Sequence, residues 1–232
     1  RGPTRSKLPE KIIEEARGLG EEGFREVVLT GINLAEYGSN GSGLATLISG
    51  LSGLEEISRI RLSSLNPEGI TKDLLREFIK LEKTCPHFHV PLQSGSNRIL
   101  TAMNRGYSRT DYLRKVELIK DNLPNSTFGT DLMVGFPGEK KIDFNETKEM
   151  VREVGFVNTH VFRYSPREST PASKLDDKVH SSVKKRRAGE LRSLASRISL
   201  EQRRKFEGEK LEMIIEEPSD KIDGWRGYSK NY

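Results

Sequence analysis

Asp131 is the one acid in an apolar run, Phe128 to Val134, that ends in Gly135-Phe136-Pro137-Gly138-Glu139. A strand-like stretch closing in a glycine turn suits backbone that approaches a ligand closely. Four other strand-like segments end in comparable polar groups: Leu29-Thr30-Gly31-Ile32-Asn33, Leu62-Ser63-Ser64-Leu65-Asn66-Pro67, Val90-Pro91-Leu92-Gln93-Ser94-Gly95-Ser96, and Tyr164-Ser165-Pro166-Arg167-Glu168-Ser169-Thr170. Their amides and hydroxyls, mostly uncharged, match the hydrogen-bonding needs of a zwitterionic, nucleoside-like molecule. Each taken alone also reads as an ordinary strand-to-helix loop, since such loops are rich in Gly, Ser and Asn. Asp131 has a second reading as a partner of Arg61 or Arg163, and Glu139 as an acid favoured near a helix N-terminus. His87 and His89 share a strand face but lack partners at metal-ligand spacing, so they read as interior histidines. Cys85 reads as a buried structural thiol.

The elements that must position these groups alternate regularly. Lys7–Glu22 carries Leu8, Ile12, Ile13, Ala16 and Leu19 at helical spacing, with Ser6 as a candidate cap and Pro9 in the first turn. Gly23 breaks that helix before a strand, Phe24–Thr30. Strands follow at Arg59–Ser63, His87–Pro91, Thr127–Val134 and Val157–Tyr164, with helices near Lys72–Lys83, Asn97–Met103, Arg109–Asn122 and Ile142–Val154. This alternation predicts an α/β fold of parallel units, with reactive groups at the strand C-termini. Five strands are too few for a closed eight-stranded barrel, and the chain opens on a helix, so a partial parallel (β/α) barrel is expected over 1–175. A basic linking helix over 176–208 and the start of a small β-domain over 209–232 complete the predicted organisation. In the last segment Leu211–Ile215 turns strand-like and Gly224–Tyr228 resembles a hairpin turn.

Charge is concentrated in the linking helix. The chain has 232 residues and a net charge of +5. Lys178 to Phe206 holds ten Lys/Arg against two Glu, or +8, which leaves −3 for the remainder. Val183, Leu191, Leu194 and Ile198 form its apolar stripe. Such a segment suits a polyanion, and Lys184, Lys185, Arg186, Arg187, Arg203 and Arg204 are the candidate phosphate contacts, with Arg5 beside them. Trp225 and Tyr228 could stack on bases. A solvated helix face is the plainer reading of the same charges. No apolar stretch approaches the roughly 20 residues of a membrane span, no signal peptide opens the chain, and one cysteine excludes an internal disulfide and suits a reducing, cytoplasmic setting.

HVPLQSGSNRILTAMNRGYSR, GTDLMVGFPGE and VFRYSPREST resemble the methylthiotransferase family of radical S-adenosylmethionine (SAM) tRNA enzymes, and the resemblance runs over nearly the whole chain. Arg1–Ser6 is similar to the sequence that follows the family's CxxxCxxC cluster motif, and GWRGYSKNY to the opening half of the RNA-binding TRAM domain. LTGIN and LSSLNP look closer to the MtaB branch, which acts on threonylcarbamoyladenosine, than to the MiaB branch, which acts on isopentenyladenosine. Ser169 stands where the family usually has glycine, and Lys140-Lys141-Ile142 replaces a more acidic run.

The resemblance implies SAM and two 4Fe–4S clusters in the intact enzyme, with cluster ligands outside this chain, since one cysteine cannot supply three thiolates. It implies a deoxyadenosyl radical acting on carbon 2 of an adenine, a tRNA anticodon stem-loop as substrate, an electron donor, and no membrane. By position in the family pattern, Gly31, Asn33, Ser63, Gln93, Ser94, Asp131, Gly135, Glu139 and Tyr164 are the candidate SAM contacts. The chain by itself is expected to bind no cluster and to be inactive. A cluster-free barrel enzyme for a phosphorylated metabolite and a non-catalytic RNA-binding module are the competing readings.

Overall fold

The computed structural model describes residues 5–38, 43–168, 170–219 and 223–232. Residues 1–4 of the Arg1–Ser6 resemblance, and Ser169, lie outside the described residues. In chain order the elements are α1 (Pro9–Glu21), β1 (Glu26–Leu29), α2 (Leu44–Ser52), β2 (Arg59–Leu62), α3 (Lys72–Lys80), β3 (His87–His89), α4 (Asn97–Ala102), α5 (Arg109–Asn122), β4 (Thr127–Val134), α6 (Lys141–Val154), β5 (Asn158–Arg163), α7 (Ser181–Arg204), β6 (Met213–Pro218) and β7 (Trp225–Ser229). The chain divides into two compact units: residues 1–89 with 119–127 and 209–232, and residues 90–118 with 128–208.

In the first unit, β1 and β2 pair in parallel with Glu26 opposite Arg59 and Leu29 opposite Leu62. The β3 segment joins β2 through parallel bridges, Ile60 with Thr84 and Ser64 with His89. Pro9 opens α1 as expected, but Leu8 is its N-cap, and the Ser6 hydroxyl instead accepts from the Gly38 N–H at 3.4 Å. Gly23 ends the helix region with φ +99°, a conformation open to glycine at little cost. Helix α2 adds to the expected alternation: Leu44, Leu47, Ile48 and Leu51 recur at i, i+3, i+4 and i+7 and are all buried. In α3, Leu74, Leu75 and Phe78 face the core, and Thr71 caps the first turn by accepting from the Leu74 N–H at 3.2 Å.

The end of the chain corrects a second expectation. Trp225–Ser229 is a strand, β7, antiparallel to β6 with a register shift between Ile215 and Glu217, where a hairpin turn was expected at Gly224–Tyr228. The hairpin supplies acceptors to two arginines that β2 carries on one face, although Arg59 Nε stays buried without a partner among the described residues. Buried Arg59 donates to the carbonyls of Tyr228 (2.8 Å) and Glu212 (2.8 Å). Buried Arg61 pairs with Glu26 (2.6 Å), donates to the carbonyls of Ser229 (3.1 Å) and Lys230 (3.2 Å), and lies 4.3 Å from the Tyr232 ring centroid. Buried guanidinium groups persist only when their donors find acceptors, and here main-chain carbonyls supply most of them. His87 bonds Thr127 Oγ1 at 2.9 Å and meets the Tyr232 ring edge-on, as a satisfied interior residue.

In the second unit, β4 and β5 pair in parallel from Gly129 with Asn158 to Val134 with Arg163. The segment before α4 adds to β4: the Val90 N–H donates to the Gly129 carbonyl at 2.9 Å, and Gln93 bridges Leu132. Phe128, Thr130, Leu132 and Val134 are buried along one face of β4, while Asp131 and Met133 on the other face are partly exposed. The basic helix α7 buries Ala188, Leu191, Leu194, Ala195 and Ile198. It also feeds the carbonyls of β5 and its flanks from side chains. Lys184 Nζ donates to Tyr164 O (3.1 Å), Arg192 to Val161 O (2.8 Å) and Ser199 to Val157 O (2.6 Å). At about 100° per residue these donors fall within one arc of the helix beside its apolar stripe. They do for β5 part of what a further strand would do, which is to satisfy backbone acceptors.

Candidate functional site

The turn after β4 is the most constrained piece of the second unit. Gly135 has φ +75° and Gly138 φ +81°, and a side-chain carbon on Gly135 would lie 2.2 Å from Lys184 Cγ. Glu139 folds back so that its Oε2 accepts the Gly135 N–H at 3.0 Å, and its Oε1 pairs with Arg187 of α7. Arg187 also donates to the Glu139 carbonyl at 3.0 Å. On the other side Arg98 donates to the Gly138 carbonyl at 2.7 Å and pairs with Asp143 in bidentate fashion through Nε and Nη2, one edge of the guanidinium. Asp143 further accepts from Ser96 Oγ (2.8 Å) and from the Lys140 N–H (2.7 Å). The Gly138 N–H donates to Asp177 O at 2.7 Å. Two arginines from different helices thus hold adjacent carbonyls of one turn, each anchored on its own carboxylate, a geometry that charge-assisted bonds make stiff.

The two carboxylates respond oppositely to these surroundings. Burial pushes the Glu139 carboxyl above the ordinary carboxylate range, with Arg187 and the Gly135 N–H pulling against it. Burial also raises Asp143, but Arg98, the Lys140 N–H and Ser96 together outweigh it and hold the group below its ordinary value.

Gln93 takes up the left-handed conformation, φ +65°, uncommon for a residue with a side chain. The segment is tied on all sides: the Gln93 N–H donates to Asp131 O (2.8 Å), the Met133 N–H donates to Gln93 O (2.8 Å), and Tyr107 Oη donates to Pro91 O (2.9 Å). Such a conformation is held by its neighbours and is a mark of functional loops. Asp131, Met133, His160 and Phe162 share the less covered face of β4 and β5, with Asp131 opposite His160 and Met133 opposite Phe162. Tyr164 at the end of β5 packs edge-on against Phe136, ring centroids 5.3 Å apart, and its hydroxyl is buried without a hydrogen-bond partner among the described residues.

Of the expected SAM contacts, Gln93, Asp131, Gly135, Glu139 and Tyr164 belong to this second unit and gather around the ends of β4 and β5. Ser94 lies there too but faces inward: it is 1% exposed, and its hydroxyl accepts the Ser96 N–H at 3.2 Å and sits 3.5 Å from Thr147 Oγ1. Gly31, Asn33 and Ser63 belong to the first unit, at the ends of β1 and β2. There Asn33 Oδ1 accepts from Asn66 at 3.4 Å, and the Ser63 N–H donates to Leu29 O at 2.9 Å. Arg61 pairs with Glu26, and Arg163 is exposed at the end of β5. Sequence reasoning missed the Arg98–Asp143–Ser96 cluster and the Arg187–Glu139 pair, because no spacing rule links residues 45 or more positions apart.

The cations of α7 separate into two sets. Arg187, expected at an RNA surface, is 8% exposed and is committed to Glu139, because the apolar stripe turns that position inward. Lys184 is partly buried against Tyr164, and Arg203 bonds Asn158 Oδ1 at 3.0 Å. Lys185, Arg186, Arg197 and Arg204 are exposed. Arg186, Arg197 and Arg204 fall within about 20° of one another on the helix and span roughly 27 Å of its length. Arg5 is exposed on the first unit, as are Trp225 (64%) and Tyr228 (39%) of β7.

Residues 1–151 match the family described as the Radical SAM superfamily. The chain is 40% identical over 228 residues to tRNA-2-methylthio-N(6)-dimethylallyladenosine synthase of Pelotomaculum thermopropionicum, covering 97% of this chain and 51% of that protein. It is 44% identical over 219 residues to threonylcarbamoyladenosine tRNA methylthiotransferase MtaB of Aquifex aeolicus, covering 94% and 53% respectively. The chain thus spans about half the length of the curated relatives it matches. Among solved structures it resembles the radical SAM methyltransferase TsrM of Kitasatospora setae, with TM-score 0.59 and 13% identity over 72% of this chain and 33% of that one, a likeness of fold.

Proposed function

The chain belongs to the radical SAM superfamily, and we propose that it is the central part of a tRNA methylthiotransferase that modifies carbon 2 of threonylcarbamoyladenosine beside the anticodon. The observation that carries this reading is similarity at 40–44% identity along almost the whole chain to enzymes named for that class of reaction. Both nucleoside specificities occur among them, and the choice of threonylcarbamoyladenosine over dimethylallyladenosine rests on LTGIN and LSSLNP, at the ends of β1 and β2. The superfamily's cofactor is SAM, and the second unit fits a nucleoside: a glycine turn with positive φ, a left-handed Gln93, and a buried Tyr164 hydroxyl that lacks a partner among the described residues. Gln93, Asp131, Gly135, Glu139 and Tyr164 of the second unit would hold it there.

A 4Fe–4S cluster does not fit the residues present. Cys85 is buried and its thiol is pushed up to about 11, so it offers no thiolate near neutral pH. Among the described residues no group of three His, Cys, Asp or Glu could hold a metal ion. SAM held here would supply radical chemistry, able to remove a hydrogen atom from an unreactive carbon, only on taking one electron from a reduced cluster that the residues of this chain do not hold. What this chain's residues contribute is placement: Glu139 fixes the Gly135 N–H within the turn, the Phe136–Tyr164 pair walls one side, and Asp131 offers an acceptor from the strand.

Exposed Lys185, Arg186, Arg197 and Arg204 form the RNA-facing side of α7, and Arg187 leaves that set; Arg5, Trp225 and Tyr228 are the exposed candidates of the first unit, taken by itself. The divisions 1–175, 176–208 and 209–232 are the barrel, linking-helix and TRAM-like modules of this reading, and an electron donor and a cytoplasmic location follow from it. No helix among the described residues is long and apolar enough to cross a membrane. The test is nucleoside mass spectrometry of tRNA incubated with the anaerobically reconstituted intact polypeptide. Methylthiolated threonylcarbamoyladenosine is expected. Product on dimethylallyladenosine alone would reverse the branch choice, and no methylthiolated nucleoside from active, cluster-loaded protein would overturn the function.

A further inference from the structure

The Arg187–Glu139 pair ties the basic helix to the cofactor turn, and nothing in the proposed chemistry assigns it a role. Arg187 comes from the middle of the most cationic segment of the chain, yet it is buried, 8% exposed. Its Nη1 reaches both the Oε1 and the main-chain carbonyl of Glu139, its guanidinium carbon lies 5.5 Å from the Phe144 ring centroid, and both partners of the pair are buried. Glu139 in turn uses its remaining oxygen on the Gly135 N–H. Removing the guanidinium would leave a buried carboxylate with only that N–H to stabilise it. The turn would then relax by letting Glu139 swing to water, and Gly135 would lose its tether.

We propose that Arg187 is a positioning residue for SAM: it holds Glu139 so that Glu139 holds the Gly135–Gly138 backbone in the shape that receives the nucleoside. α7 therefore serves two functions from two faces, with Arg187 directed to the cofactor turn and Arg186, Arg197 and Arg204 directed to RNA. The inference rests on the SAM-dependent reading above, and it predicts that two neighbouring arginines, 186 and 187, control different ligands.

The experiment measures SAM affinity by equilibrium dialysis and tRNA affinity over a salt series, both on the intact polypeptide. Arg187→Met is expected to weaken SAM binding about tenfold or more, as loss of a supporting partner behind a ligand-binding group commonly does, and to leave the tRNA salt slope unchanged. The triple change Arg186→Ala, Arg197→Ala and Arg204→Ala is expected to do the reverse, lowering the slope by about three phosphate contacts with SAM affinity intact. Arg187→Lys keeps the charge and one donor and should fall between wild type and Arg187→Met for SAM, and it decides the matter if the methionine variant does not fold. Glu139→Gln combined with Arg187→Met should weaken SAM little more than either alone. Unchanged SAM affinity in Arg187→Met or Arg187→Lys, while the wild type binds SAM, overturns the inference and leaves the function standing. Loss of tRNA affinity in place of SAM affinity makes Arg187 an RNA contact and also overturns it. Failure of the wild-type protein to bind SAM overturns the functional reading itself.

Discussion

Replacing Gly135 by Ala tests whether the turn after β4 is shaped by its own backbone or by the helix packed on it. Two costs add. At φ +75° a residue with a Cβ is strained, by about 1–2 kcal/mol for the left-handed region. The new carbon would also sit 2.2 Å from Lys184 Cγ and 2.6 Å from its Cδ, distances no real contact tolerates. Lys184 must therefore leave, and its bond to the Tyr164 carbonyl goes with it, so overpacking adds about 1–3 kcal/mol. Gly138 is the internal control. Its φ is +81°, but an added carbon there finds nothing nearer than Arg98 Nη1 at 3.7 Å, an ordinary contact. Gly138→Ala should thus cost only the strain of about 1–2 kcal/mol, and Gly135→Ala about 2–5 kcal/mol in total. Equilibrium urea denaturation followed by circular dichroism measures both. Adding Lys184→Ala removes the two clashing carbons, so the Gly135→Ala/Lys184→Ala pair should be more stable than the sum of the singles by about 1–3 kcal/mol. Equal costs at Gly135 and Gly138, or strict additivity with Lys184→Ala, would refute the close packing of α7 on this turn.

The carboxylates flanking that turn should give pH dependences of opposite sign. Asp143 has a depressed pKa, so its contribution is complete above its ordinary 3.8 and is lost as pH falls through its lower folded value; Asp143→Asn should flatten that acid limb of a stability–pH curve. Glu139 has a raised pKa, so stability from that site declines as pH climbs from 4.5 towards its folded value, and Glu139→Gln should remove that decline; the same slope in wild type and variant would refute either assignment. Cys85, with its thiol pushed up to about 11, should resist a disulfide reagent at pH 8 in the native protein and react fully in urea. Rapid stoichiometric labelling of the native protein would contradict its burial. Arg61→Met strips Glu26 and the Ser229 and Lys230 carbonyls of their donor, a loss of about 3–5 kcal/mol by analogy with broken buried pairs. Faster hydrogen exchange of the β6–β7 amides is the expected readout, and unchanged exchange would show that the hairpin does not depend on it.

Much of the fold was legible because it rests on local rules. Strands near Arg59, His87, Thr127 and Val157 announced themselves by β-branched and aromatic runs bounded by turn residues, and Gly23 and Pro9 marked their helix boundaries through backbone chemistry alone. Helix α2 follows the same local rule, since Leu44, Leu47, Ile48 and Leu51 carry the helical period openly. Gly224–Tyr228 misled because two glycines in five residues signal a turn, whereas Gly227 is needed in a strand: a Cβ there would lie 1.9 Å from the Ile214 carbonyl oxygen. Gly95 shows the same limit. Within Gln93–Ser96 it reads as room for a ligand, but a Cβ at Gly95 would meet Thr147 Cα at 2.5 Å and Glu146 O at 2.6 Å, so the space is taken by α6.

From the sequence alone came the α/β alternation, the chemical character of the strand ends, the concentration of positive charge in one helix, and the family. Each depends on residue type and on spacing within a few turns of backbone. The tertiary structure decided which of those charged and polar groups are free to meet a ligand. Arg186 and Arg187 are indistinguishable as residues, and Ser94 and Gln93 are neighbours in one motif. Yet helix rotation buries Arg187 on Glu139, and a left-handed backbone at Gln93 sends Ser94 inward to Thr147. Burial and pairing are set by partners distant in the chain, so the commitment of a side chain becomes visible only when those partners are in place.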